Sequence, residues 1–246
     1  MSHVIAAIST GMTVSAVSLG CEHLQGKDYE TVKAVIDAAL AADINFLDVF
    51  MSEPNVRSSL GAALKGRRQN WYIQGHIGAT WQNGQYVRTR DVEKCKAAFE
   101  DLLQRMGTDY IDLFLIHWPQ PSPDADWKPL LTETWKAMER LYDDCLVRAI
   151  GVSNHLPQHL MHILRNCNTR PMVNQLEFHP GYTQAVTTNF CMNQNILVEA
   201  WSPMGRTRIL DDPLVLELAK KYNKTPAQIC LRFCLQNNIL PLPKSS

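Results

Sequence analysis

Eight short apolar runs recur along the chain and alternate with longer stretches of helical periodicity. They occupy residues 17–20, 46–50, 72–76, 111–117, 149–154, 173–178, 196–202 and 239–243. Most are apolar throughout rather than alternating, the pattern of parallel strands covered on both faces. Between them, 29–42 places Val32, Val35, Ile36, Ala39 and Leu40 on one helical face, with Asp28 positioned to cap it. Residues 92–106 do the same with Val92, Cys95, Phe99, Leu102, Leu103 and Met106, and Gly107 ends that helix. Further helices are expected at 56–65, 129–143, 157–167 and 184–194, and two more, at 213–222 and 226–236, fall between the seventh and eighth runs. Strand and helix in alternation imply a parallel sheet, and eight strands favour its closure. The expected fold is therefore α/β, a single (β/α)8 TIM barrel over 1–246, with no eighth helix after the last strand.

Residues 4–21 carry no charge, which raises the question of a membrane or signal segment. Ser9-Thr10-Gly11 interrupts the stretch and no Lys or Arg precedes it, so an N-terminal β-hairpin is the better reading. The chain has 24 basic and 24 acidic residues and no basic run of five or more, which argues against a nucleic-acid partner. Its seven cysteines include no C-x-x-C pair, which speaks for a reducing, cytoplasmic setting. A soluble monomer, away from membranes, is expected.

In a barrel of this kind the reactive groups belong at the C-terminal ends of the strands. Polar residues stand there in this sequence: Asp48 and then Glu53, His76, His117, Ser153 and Asn154, Gln175, Trp201 and Ser202, and Lys244 with Ser245. Any one of them alone could be a satisfied polar residue at a loop junction. Seven strand ends in agreement point to a site.

Five segments carry a resemblance: Ile116-His117-Trp118-Pro119, Gly151-Val152-Ser153-Asn154, Asn174-Gln175-Leu176-Glu177-Phe178-His179-Pro180, Trp201-Ser202-Pro203 and Leu242-Pro243-Lys244-Ser245. In order and spacing the chain resembles the aldo-keto reductases over essentially its whole length, and Leu60-Gly61 fits that family's second helix. The resemblance implies NADP(H), with NAD(H) as the alternative, lying across the barrel mouth. By motif position Ser153, Asn154 and Gln175 would hold the nicotinamide carboxamide, and Trp201, where the family usually has Tyr, would stack on the ring beside Ser202. Lys244 and Ser245 would meet the phosphate of the adenosine half. Amides and hydroxyls suit a carboxamide, a flat indole suits a flat ring, and Lys suits a phosphate.

The resemblance also implies a catalytic Asp, Tyr, Lys and His, and here the chain departs. Asp48 and His117 match, but Glu53 occupies the Tyr position and His76 the Lys position, with Pro54 in place of a Gly. An unperturbed Glu has a pKa of about 4.3, so only roughly 0.2% of it carries a proton at pH 7. Burial or the neighbouring Asp48 could raise that value, or His76 could donate with Asp48 as partner. The expected reaction is hydride exchange between the nicotinamide and a small-molecule carbonyl or alcohol. His117 would orient the oxygen, and Glu53 or His76 would move the proton. The rivals are a lyase or isomerase using the same groups and a catalytically impaired cofactor-binding barrel. A metal on Asp48, Glu53, His76 and His117 would compete with the nicotinamide pocket, so none is expected there. His155, His159 and His162 read as a solvated helix start, and Cys230 and Cys234 as core.

Overall fold

The computed structural model describes residues 4–8, 11–50, 54–82, 84–120, 122 and 124–244. Glu53 and Ser245 lie outside the described residues. The chain opens with an antiparallel hairpin, β1 (Val4–Ile8) and β2 (Met12–Ser15). The alternation then runs β3 (Leu19–Gly20), α1 (Tyr29–Ala41), β4 (Phe46–Phe50), α2 (Pro54–Leu64) and β5 (Tyr72–Ile77). A second hairpin follows, β6 (Ala79–Gln82) and β7 (Gln85–Arg88), absent from the sequence expectation. Next come α3 (Val92–Met106), β8 (Leu113–Ile116), α4 (Trp127–Asp143), β9 (Ile150–Ser153), α5 (Pro157–Asn166) and β10 (Val173–Glu177). The last elements are α6 (Ala185–Asn193), β11 (Leu197–Trp201), α7 (Pro213–Tyr222), α8 (Pro226–Gln236) and β12 (Leu240–Leu242).

Eight parallel strands pair in the order β12-β11-β10-β9-β8-β5-β4-β3. Ser18 N–H donates to Pro241 O at 3.1 Å and Gly20 N–H to Pro243 O at 3.0 Å, so the two edges meet and the sheet is an α/β TIM barrel. As expected, α7 and α8 both lie between β11 and β12. The helix boundaries follow the caps. Asp28 accepts from Thr31 N–H at 2.8 Å, and Gly107 ends α3 in the left-handed region at φ 62°.

Two apolar layers hold the barrel. The outer one joins helices to strands through residues such as Val32, Ile36, Phe99, Leu102 and Trp135. The inner one fills the N-terminal end, where Met12 and Val14 of the first hairpin pack on Phe46, Leu113, Ala149, Val173 and Leu240. The hairpin thus plugs the floor of the barrel. Near that floor Asp112, 1% exposed, accepts from Ile73 N–H at 2.9 Å, from Arg68 at 2.7 Å and from Arg148 at 2.8 Å. Gly61 lets α2 lie directly on α3: a Cβ there would overlap Arg105 O and sit 2.8 Å from Met106 Cα.

Candidate active site

The polar strand ends converge at the opposite, open end. Asp48, His117, Asn154, Gln175, Trp201, Ser202 and Lys244 line one cleft of about 650 Å³, together with Gly20, Phe50 and Trp118. His76 and Ser153 stand behind this wall, 3% and 0% exposed.

Asp48 is the hub. Its Oδ1 accepts from Phe50 N–H at 3.1 Å and lies 3.0 Å from His76 Nε2, while its Oδ2 accepts from Gln175 Nε2 at 3.3 Å. The first of these bonds bends the chain just after Asp48, and Phe50 takes a positive φ of 47°. That bend turns the Phe50 ring onto His117 and His76, at centroid distances of 4.6 and 5.3 Å. Burial pushes the Asp48 pKa up. The charge of His76 and the hydrogen bonds from His76, Gln74 and Phe50 outweigh this and hold it below the usual carboxylate range.

His117 directly follows β8, and its Nδ1 is buried with no hydrogen-bond partner. Burial first, then the charges of His76, Arg88, Arg90 and His155, push its pKa down to about 2. It is a neutral imidazole at neutral pH, able to offer an N–H or a lone pair but not a standing positive charge.

The remaining wall is tied together by side-chain amides. Asn154, at φ 61°, donates through Nδ2 to His117 O at 3.2 Å and to Ser153 Oγ at 3.0 Å. Its Oδ1 accepts from Trp201 Nε1 at 2.9 Å, so the indole is clamped edge-on to Asn154 and presents its face along the cleft. Ser153 Oγ donates to Gln175 O at 3.0 Å, which locks β9 to β10 rather than facing the cleft. Arg206 lies over the Trp201 ring at 5.8 Å, and Lys244 is ion-paired with Glu22.

The site holds residues that sequence reasoning passed over. Glu199 and Gln74 lie beneath Asp48 beside the expected Gln175, whose Nε2 also donates to Glu199 Oε2 at 3.2 Å. The available signal for Glu199 was its phase: it stands two residues before Trp201 on one strand, and so on the same face. Arg88 stacks on Trp118 at 4.6 Å at the cleft rim. No three His, Cys, Asp or Glu side chains converge to hold a metal among the described residues. The expected solvated helix start is not what His155 and His159 form: both are buried, His155 Nδ1 bonding Ser153 O at 2.8 Å and His159 Nδ1 accepting from Leu156 N–H at 3.1 Å. Cys230 and Cys234 are buried and free, as expected of core.

Comparison with known proteins bears directly on this arrangement. The model of the aldo/keto reductase family matches residues 16–246. The chain is 46% identical over 157 residues to the 9,11-endoperoxide prostaglandin H2 reductase of Trypanosoma cruzi, covering 63% of this chain and 53% of that protein. It thus spans about half of that relative's length. It is 44% identical over 217 residues to the glyoxal reductase of Bacillus subtilis, covering 88% of this chain and 72% of the relative. The crystal structure of an aldo/keto reductase from Brucella melitensis superposes with a TM-score of 0.78 at 30% identity, over 96% of this chain and 85% of that one.

Proposed function

This chain belongs to the aldo/keto reductase family, and from that membership we propose that it is an NADP(H)-dependent oxidoreductase of small carbonyl compounds or their alcohols. The carrying observation is the single cleft that gathers Asp48, His117, Asn154, Gln175, Trp201 and Lys244 at the barrel mouth. All of 1–246 acts as one barrel domain in this reading.

The cleft suits a nicotinamide dinucleotide. Gly20 forms one wall without a Cβ, and a Cβ there would press to 3.3 Å of Pro243 O. The indole face of Trp201 offers a stacking surface. Asn154, Gln175 and Ser202 line the place of the carboxamide; the amide nitrogens of Asn154 and Gln175 are already spent within the wall, so these two offer it their oxygens, with Ser153 as a support of Asn154. Lys244 and Ser245 offer charge and a hydroxyl to a phosphate, which would take Lys244 from Glu22. When bound, the cofactor supplies the hydride. The protein's part is orientation and proton handling. Neutral His117 positions the substrate oxygen, and Glu53, or His76 through Asp48, moves the proton. NADP(H) is preferred over NAD(H) because a lysine stands where the phosphate is expected.

Among the described residues no helix is long and apolar enough to cross a membrane. Seven free cysteines support a reducing, cytoplasmic setting, and we take the protein as a monomer.

One observation favours a second reading, a cofactor-binding barrel with impaired turnover. His76, in the lysine position, spends Nε2 on Asp48 and stays behind the cleft wall. A titration decides. NADPH should quench tryptophan fluorescence saturably, Trp201→Ala should weaken the quench, and a panel of aldehydes and ketones should be reduced. Quenching without turnover selects the impaired barrel. Absence of saturable quenching up to millimolar NADPH or NADH, in folded protein, removes both readings.

A further inference from the structure

Beneath the cleft, five polar side chains form one layer inside the barrel: Gln74, His76, Asp48, Gln175 and Glu199, none more than 7% exposed. Their hydrogen bonds do not balance if both carboxyl groups are ionised. Gln175 Nε2 donates to Asp48 Oδ2 at 3.3 Å and to Glu199 Oε2 at 3.2 Å, so one amide bridges two acids. Gln74 Nε2 lies 3.3 Å from His76 Nε2. Two oxygens, Glu199 Oε1 and Gln74 Oε1, are then buried without a partner. A buried carboxylate with an unpaired oxygen is costly, and a second carboxylate across one amide adds repulsion. A proton on Glu199 resolves both faults. It removes the second charge and turns a lone acceptor into a donor, for which Gln74 Oε1 is an open acceptor in the same layer.

We propose that Glu199 is a positioning residue held as a neutral acid, so that Asp48 and Glu199 carry one negative charge between them and that charge, resting on Asp48, anchors His76 below the cleft. Burial first, then the charge of Asp48, push the Glu199 pKa up to about 8, which leaves about nine molecules in ten protonated at pH 7. The groups that face it are Asp48 from β4, His76 and Gln74 from β5, and Gln175 from β10. Its paired neighbour on β12 is the apolar Leu240. Once Glu199 ionises, Gln175 must serve two carboxylates, and the anchoring of His76 changes. The consequence for turnover rests on the oxidoreductase reading, but the protonation state does not.

The experiment is NMR on the full chain with ¹³C-labelled glutamate side-chain carboxyls and ¹⁵N-labelled histidine, assigned by through-bond correlations and checked with Glu199→Gln. The expected result is a Glu199 carboxyl carbon at the neutral-acid position at pH 6, a midpoint near 8, and a shift of the His76 ring nitrogens over the same step. In Glu199→Gln that histidine step disappears. Turnover in the wild type should fall about tenfold between pH 7 and pH 9, following the protonated fraction, and Glu199→Gln should lack that step relative to its own rate at pH 7. A Glu199 carbon already at the carboxylate position at pH 6, or a His76 ring indifferent to the step, overturns the proposal even if turnover is normal. The expected titration in a protein without turnover upholds this inference while the oxidoreductase reading fails.

Discussion

Acid should unfold this protein through His117, and the size of the effect follows from its burial. His117 is 8% exposed, and its pKa falls from 6.5 to about 2 on folding. A base with a depressed folded pKa binds its proton in the unfolded chain first. Between pH 6.5 and about 2 the unfolded state holds the extra proton, so stability falls as pH falls through that window. With about 1.36 kcal/mol per pKa unit, one such group withdraws about 2 kcal/mol between pH 6.5 and 4.5. His155, fully buried and shifted in the same direction, adds a parallel slope that no change at His117 removes. The assay is urea unfolding from pH 4.5 to 7.5 on the wild type and on His117→Gln. Below pH 6 the wild-type slope should exceed that of the variant by about 1.4 kcal/mol per pH unit, one proton's worth. Equal slopes would show that folded His117 takes up the proton, and its role as a neutral group orienting the carbonyl would fall with that result.

Two further outcomes are expected. Asp112→Ala breaks the buried contacts to Arg68 and Ile73 N–H and should cost about 3 kcal/mol, or roughly 6–12 °C of thermal midpoint. Arg148, 43% exposed, adds little to that figure, and a midpoint within 2 °C (about 1 kcal/mol or less) of the wild type would deny Asp112 its role at the barrel floor. The double variant Glu53→Tyr with His76→Lys should raise aldehyde reduction by at least roughly tenfold, the low side of a general acid's usual worth. Rates no higher than the parent's would show that these two positions do not limit turnover.

Much of this could be read from the amino-acid sequence because the barrel strands are covered on both faces. Burial on both sides makes a run continuously apolar, so the eight runs stand out from the amphipathic helices between them. Caps such as Asp28 and Gly107 are local and legible for the same reason: they act within four residues of themselves. The hairpin β6–β7 escaped notice because its strands alternate polar and aromatic residues and no strand of the barrel pairs with it. The wiring of the site escaped because it is long-range. Gln175 reaches Asp48 across 127 positions of sequence. Motif spacing assigned Gln175 to the cleft; only the folded barrel shows its Nε2 turned down to Asp48 and Glu199. Glu199 itself was hidden by its apolar neighbours, although a charged residue in such a run has to find partners within the barrel.

The two ends of the cleft are held by different amounts of backbone pairing. Gln175 and Trp201 stand on β10 and β11, which pair in register from Val173–Leu197 through Glu177–Trp201. Gly20 and Lys244 stand at the seam where β3 meets β12, and two backbone hydrogen bonds, from Ser18 and Gly20, close that seam. The bond from Gly20 to Pro243 O therefore closes the barrel and also sets Lys244 beside Glu22, so forming the Lys244 wall of the cleft and joining the first strand to the last are one event. The other end needs no such closure, because Asn154, Trp201 and Gln175 are fixed by the sheet interior and by each other. A substitution that weakens the seam acts first on the Lys244 end, whereas one in the Asp48 layer acts on the opposite end of the cleft.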